Sequence, residues 1–290
     1  MTELELKLQV PPGARDAVRA ALAGDRFGTI QLQACYVDTA DGRLAAHRFA
    51  LRLRQEGPQW VQTLKGAGDS AVRRLEHNAV LTMAEGEEPA IDLARHAGTP
   101  AGDALTALLG QPLPPLVELY RTDIQRLRGE QSVAHGRIEL AFDEGRIVAG
   151  AREWPVCELE IELVDGTPAA VVEQARAWVL AHGLWLDVVS KAERGERLLR
   201  GQTFGPVTDA GHGSPRELLE RVLANASEVA AGSPDPGHAQ QLRLGLQRLC
   251  AGLPAPPAAL ASWPATADAV RQPAVQVALI ELLGQALGPV

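Results

Sequence analysis

The 290-residue sequence has no apolar run approaching membrane-spanning length. Its N-terminus is charged from Glu3 onward and has no apolar signal region. Both absences lead to the expectation of a cytoplasmic protein with no membrane partner. Cysteine is scarce: Cys35, Cys157 and Cys250 are far apart and odd in number, which speaks against a disulfide framework and a thiolate metal cluster. The seven histidines are scattered, with no HExxH-like pair. An excess of positive charge is also missing. The formal charge of −8 and pI near 5.4 argue against a general nucleic-acid binder. Aromatic residues make up 4%, so stacking partners for a planar ligand are few. Lysine is the last shortage. Of 28 basic residues only Lys7, Lys65 and Lys191 are lysines, and arginine holds the other positions. Against that background a lysine can mark a place that needs a compact ammonium rather than a planar fork.

What is present is a hydrophobic content of 46%, ample for a core, and a series of alternating segments. Period-two patterning predicts strands near residues 2–10, 30–38, 48–56, 59–66, 72–83, 116–128, 132–144 and 155–164. QEGPQ at 55–59 reads as a hairpin turn. Helices are expected at 13–23, 101–110, 168–182 and 190–200. Short connections make most of the strands antiparallel, giving an α+β class. The Gly/Pro/Thr-rich stretch 201–214 reads as a linker, and residues 215–290 as a small helical region with segments at 215–231, 236–252 and 266–287.

Several strands carry charge on one face only. In MTELELK, Glu3, Glu5 and Lys7 alternate with leucines. In ALRLR, Arg52 and Arg54 share a face, and Lys65 ends the WVQTLK strand. RRLEHN aligns Arg74 with Glu76 and Asn78, and GRIELAFDEG aligns Arg137 and Glu139 with Asp143. CELEIEL aligns Glu158, Glu160 and Glu162. Arg121 and Arg126 fall on opposite faces of their strand. A sheet with one wet face alternates in the same way. Here, however, acid-only and base-rich faces are segregated by strand, where solvated faces more often mix signs. A row of carboxylates is tolerated more easily beside a cation.

These residues resemble the CYTH family, the triphosphate tunnel metalloenzymes. MTELELK resembles the ExExK signature, and CYVDT with GRLAAHRFALRLR resembles the Y-x-D-T and ALR-x-R block. WVQTLKG, RRLEHN, IELAFDEG, CELEIEL and SKAERG follow in the family's order. The resemblance spans about residues 1–200. It implies an eight-stranded antiparallel β tunnel, a closed barrel with flanking helices and its charged faces inward. It implies further that Arg52, Arg54, Lys65, Arg74, Arg126 and Lys191 bind a triphosphate. Glu3, Glu5, Asp143, Glu158 and Glu160 would hold Mg²⁺ or Mn²⁺, and Lys7 and Glu76 would act at the reacting phosphate. Hydrolysis of inorganic triphosphate to diphosphate and phosphate is the expected activity. Thiamine-triphosphate hydrolysis and adenylate cyclisation, both known on this fold, are the alternatives. Non-catalytic binding of triphosphate or polyphosphate is a third reading. HAQQLRLGLQRLCAGL in the tail resembles the first helix of a CHAD domain, a module linked with polyphosphate. Arg243 and Arg248 fit that pattern, Gln240, Gln247 and Cys250 depart from it, and His238 is offset by two residues. All proposed tunnel residues precede Gly201, so the tunnel is expected to work without the tail.

Overall fold

Eight strands form as the alternation requires: β1 (Thr2–Gln9), β2 (Gly28–Thr39), β3 (Ala50–Glu56), β4 (Gln59–Gly66), β5 (Arg73–Leu81), β6 (Leu116–Val133), β7 (Gly136–Ala149) and β8 (Arg152–Gly166). A two-residue strand, β9 (Trp185–Leu186), was not expected from the sequence. The structure, a computed structural model, describes residues 2–66, 72–83, 87–110, 114–261 and 266–288.

The strand order is β5-β4-β3-β2-β6-β7-β8-β1, and β1 also pairs with β5, so the sheet closes on itself. All pairings are antiparallel, and β9 lies along the end of β1. The expected hairpin forms at Gly57 and Pro58, between the paired Glu56 and Gln59. Gly57 has φ +59°, a conformation that costs glycine little. The β2–β6 register shifts once, at Tyr36/Val37. No shift falls between Arg121 and Arg126, so they stay on opposite faces: Arg121 pairs with exposed Glu118, and Arg126 turns inward.

Closure leaves the charged faces inside and sends the apolar faces outward, where helices must cover them. The helices are α1 (Arg15–Ala21), α2 (Arg43–Ala46), α3 (Pro100–Leu109), α4 (Pro168–His182), α5 (Lys191–Leu199), α6 (Pro215–Ala230), α7 (Pro236–Ala251), α8 (Ala258–Ala261), α9 (Ala267–Val270) and α10 (Pro273–Ala286). Leu4, Leu6 and Leu8 of β1, with Ile138, Leu140, Phe142, Leu159 and Ile161, pack under α4 and its Val171, Ala175 and Val179. Leu51 and Leu64 pack under α3 through Ala101, Leu105 and Leu109.

The segment expected to be one helix at 266–287 is two. Pro273 lacks an N–H and cannot continue α9, so it starts α10 instead. In space the tail is continuous with the barrel. A single buried apolar cluster runs from β1 through α4 to Leu219, Val222 and Leu223 of α6 and Leu279, Ile280 and Leu283 of α10. Among the described residues, no helix is long and apolar enough to cross a membrane.

Candidate active site

The inward faces enclose a cavity of about 350 Å³. It is lined by Glu3, Glu5, Lys7, Arg52, Arg54, Lys65, Arg74, Glu76, Arg126, Asp143, Glu160 and Lys191, so twelve of the thirteen residues singled out in the sequence meet there. Glu158 is fully buried on the same strand face but does not line the cavity. The lining adds residues to which the sequence assigned no site role, chiefly Glu162, Glu139, Arg128, Tyr36 and Asn78.

Two groups of acids stand in the cavity, and they differ in how they are neutralised. The first is Glu3, Glu5 and Glu162, with carboxylate oxygens within 4.8 Å of one another. Glu5 and Glu162 are direct cross-strand partners, and Glu139 follows Glu162 on β7. Like charges so placed repel. Burial pushes the Glu3 carboxyl up to about 9, against the pull of Lys65 and with help from a hydrogen bond to Glu76. Burial, then the Glu160 charge, raises Glu5. Burial, then the Glu5 charge, carries Glu162 up to about 7. All three hold protons more tightly than a free glutamate, because burial penalises the charged form and Lys65 does not offset it.

The second group is Asp143, Glu158 and Glu160, also within 4.8 Å of one another, and it is saturated with cations. Lys191 Nζ, at the first turn of α5, lies 2.7 Å from Asp143, 2.5 Å from Glu158 and 2.6 Å from Glu160. Arg126 grips Asp143 through two bonds of 2.6 Å and also reaches Glu160. Arg194 bonds Glu158 at 2.6 Å and contacts Asp187. Burial would raise Glu158 and Glu160, but Lys191 and its neighbours outweigh it and hold Glu158 at about 2 and Glu160 well below the usual range.

The chain places α5 against this group by short-range means. Ser190 caps α5 by accepting from Glu193 N at 3.1 Å, which sets Lys191 at its first position. Gly195 then lets the helix press on Tyr120. A Cβ there would stand 2.2 Å from a Tyr120 ring carbon.

The basic wall is built from β3, β4 and β5. Arg52 donates from Nη1 to the Tyr36 hydroxyl at 3.2 Å, and its Nε is buried with no hydrogen-bond partner. Arg54 bonds Glu56 at 2.7 Å. Burial, and then the charge of Arg52, bring Arg54 down to about 10. Crowded guanidiniums and an orphaned donor describe a place short of negative charge. Lys65 Nζ bridges Glu3 at 2.8 Å and Glu76 at 2.7 Å. Glu76 also accepts from Asn78 at 2.6 Å. Burial would raise it, but Lys65, the Glu3 hydrogen bond and Arg52 hold it below the usual range. Arg74 is the register partner of Glu3. Lys7 lies opposite Glu160, is buried, and donates its ammonium to the Val189 carbonyl.

The donor set fits a divalent cation at one of the two acid groups. Three carboxylates with raised proton affinity offer hard oxygen ligands that a cation would relieve. The Asp143–Glu158–Glu160 group already has its positive charge from Lys191, Arg126 and Arg194. Sequence alternation displayed Glu162 as plainly as Glu160. What it lacked was the register that sets Glu162 opposite Glu5. In the tail, Arg248 donates to the Ala210 and Gly211 carbonyls at 2.7 and 2.9 Å, and His238 is buried. Of the basic residues compared with a CHAD helix, Arg243 alone is exposed.

A family model described as the CYTH domain matches residues 1–195. The inorganic triphosphatase of Haemophilus influenzae is 30% identical over 203 residues, a match covering 67% of this chain and 54% of that protein. The chain therefore spans about half the length of this curated relative. Among solved structures, a candidate adenylyl cyclase from Hippeastrum, described as revealing a dominant triphosphatase activity, is 18% identical. That alignment covers 70% of this chain and 97% of the other, with a TM-score of 0.49. A candidate adenylate cyclase from Bacillus halodurans is 21% identical, with 62% and 91% covered and a TM-score of 0.44.

Proposed function

Since the chain belongs to the CYTH domain family, we propose that it hydrolyses inorganic triphosphate to diphosphate and phosphate inside the barrel, with Mg²⁺ or Mn²⁺ bound by Glu3, Glu5 and Glu162. One observation carries the reading: a single cavity sets carboxylates of raised proton affinity beside a buried guanidinium, Arg52, whose Nε has no hydrogen-bond partner. A pure anion binder has no use for the carboxylates. A structural barrel core would have neither group, because buried charges are costly unless paired.

Arg52, Arg54 and Arg74 are the first residues to meet the substrate, through charge-assisted hydrogen bonds to phosphate oxygens. Arg126 and Lys191 already serve Asp143, Glu158 and Glu160, so they define the far wall and lend the anion what charge remains. The bound ion would polarise a phosphoryl oxygen and orient water. Lys7 lines the cavity with its ammonium on the Val189 carbonyl, where it can neutralise charge that grows on the reacting phosphoryl group. Glu76 is ionised and tied to Lys65, so it suits fixing that lysine and orienting water better than taking up a proton. Tyr36 is the one aromatic side chain lining the cavity among the described residues, and it is stacked on Tyr120 at 4.8 Å between ring centroids. A nucleobase or thiazole would find little to stack on, which favours the inorganic substrate.

The test is phosphate release from inorganic triphosphate, ATP, thiamine triphosphate and diphosphate, with EDTA, Mg²⁺ or Mn²⁺ present. Inorganic triphosphate should be cleaved fastest, and only with metal. Faster turnover of either organic triphosphate would move the assignment to that substrate. Tight binding without phosphate release would leave a triphosphate- or polyphosphate-binding module.

A further inference from the structure

The tail helices reach the cavity through one extended segment, Leu186–Ser190. Extended backbone points successive N–H groups in opposite directions, and here the two edges of the segment serve different masters. On the barrel side, Asp187 N donates to Lys7 O at 2.9 Å, and the Val189 carbonyl accepts the Lys7 ammonium. On the tail side, Leu186 N donates to Gln276 Oε1 of α10 at 2.7 Å, and Val188 N donates to Ser227 Oγ of α6 at 3.1 Å. The segment then passes into Ser190 and α5, which carries Lys191.

Gln276 is 0% exposed and lies among the buried apolar residues Val275, Ala278, Leu279 and Ile280 of α10. A buried amide persists where both its ends are hydrogen-bonded. Gln276 meets this condition, because its Nε2 donates to Val270 O at 2.8 Å. Ser227 is 3% exposed. A third tie, Arg197 to Glu228 at 2.6 Å, fastens α5 to α6.

We propose that Gln276 and Ser227 are positioning residues for the tunnel: by holding the tail-side edge of Leu186–Ser190 they fix the Val189 carbonyl that aims Lys7. The tail is thereby part of the reaction site's frame, contrary to the expectation from sequence that the tunnel works without it. The role in turnover rests on the triphosphatase reading above, whereas the placement of Lys7 does not.

The experiment uses the full chain with Ser227→Ala and Gln276→Met, singly and together. Glu281→Gln serves as a control that breaks only the exposed Arg176–Glu281 pair (3.2 Å) between α4 and α10. Initial rates on inorganic triphosphate with Mg²⁺ are measured well below the melting temperature of each variant. The side-chain NMR signals of the three lysines, assignable by single substitution, are recorded beside them. Each single variant should lower kcat by roughly tenfold, since small misplacement of a reacting group is costly. KM should stay within about twofold, because Arg52 and Arg54 do not touch the segment. The Lys7 signal should move while that of Lys65 stays. An unchanged kcat with an unmoved Lys7 signal, even with a lowered melting temperature, would overturn the proposal. So would a fall in kcat that leaves Lys7 unmoved. If the wild-type chain cleaves no triphosphate, the functional reading fails by itself, and the Lys7 signal in Ser227→Ala still decides the positioning.

Discussion

Glu162→Gln should make the metal-free protein more stable and the enzyme less active. Glu162 sits opposite Glu5 and is carried from 4.5 up to about 7 by burial and then by the Glu5 charge. Between those two values the unfolded chain has released its proton while the folded chain keeps it. The folded state then binds more protons, so this group's contribution to stability falls as pH rises through the interval. Above pH 7 the full cost is present. An interval of about 2.5 pH units corresponds to about 3.4 kcal/mol, reduced to roughly 1–2 kcal/mol for a side chain partly open to water. Coulomb repulsion between two charges within 4.8 Å gives the same order, at least about 3.5 kcal/mol per pair at an effective dielectric of about 20 before solvent screening. Glutamine cannot ionise and removes the cost. In EDTA at pH 8 the variant should melt about 4 °C above the wild type, and the gap should close as pH falls toward 4.5. The Mg²⁺ concentration for half-maximal phosphate release should rise at least about tenfold, the equivalent of about 1.4 kcal/mol of lost ion affinity. Thermal melts at pH 5, 6.5 and 8 with an Mg²⁺ titration test both arms. A variant that is destabilised in EDTA at pH 8, or that needs no more Mg²⁺ than the wild type, refutes the reasoning.

Lys7→Ala should lower kcat by about two to three orders of magnitude with little change in KM, the scale of a single electrostatic stabiliser; a raised KM at unchanged kcat would make Lys7 a ground-state clamp instead. Arg52→Ala should act the other way round, raising KM about tenfold or more as a charge-assisted phosphate contact is lost, and an unchanged KM would remove Arg52 from the substrate site. Gly195→Ala should destabilise the fold by about 1–3 kcal/mol in urea unfolding, because its Cβ would fall 2.2 Å from a Tyr120 ring carbon; wild-type stability would show that α5 can retreat from Tyr120 at no cost.

Strand identity and facing were legible because period-two alternation is local. It put Arg52 with Arg54, Arg74 with Glu76, and Glu3 with Glu5 on common faces before any fold was known. Three things were beyond its reach. Cross-strand register decides that Glu162 and Glu5 are opposite each other while Glu158 meets Gln9 and Asp143, and no pattern within a single strand encodes it. Neutralisation from outside the strands was equally hidden. Arg194 of α5 reaches Glu158 and is held by Asp187 after β9, but a helical arginine in KAERGERLL has no periodicity that points into a barrel. The tail contacts depend on single polar residues, Ser227 and Gln276, whose meaning appears only with their partners. Without register and partners, the two acid groups looked alike, and metal ligands were expected from both.

The lysine shortage gains a physical account from the same contacts. All three lysines line the cavity, and two of them, Lys65 and Lys191, meet carboxylates that converge from different strands. Lys191 takes carboxylates from β7 and from two positions on β8. Lys65 joins β1 to β5 through Glu3 and Glu76. Lys7 reaches a backbone carbonyl beyond its own sheet neighbours. An ammonium presents its donors around a point and suits such convergence. Arginine forms the two-bond pairs, as Arg126 does with Asp143 and Arg121 with Glu118, and Arg126 reaches Glu160 besides. A guanidinium is planar, and its fork matches one carboxylate at a time. Where the chain needs a two-bond clamp it has arginine; where three carboxylates from β7 and β8 close on one point it has Lys191, whose donors are not confined to a plane. Lys65 and Lys191 therefore mark points of convergence in the tunnel, and a residue so rare in this sequence has all three of its copies in this cavity.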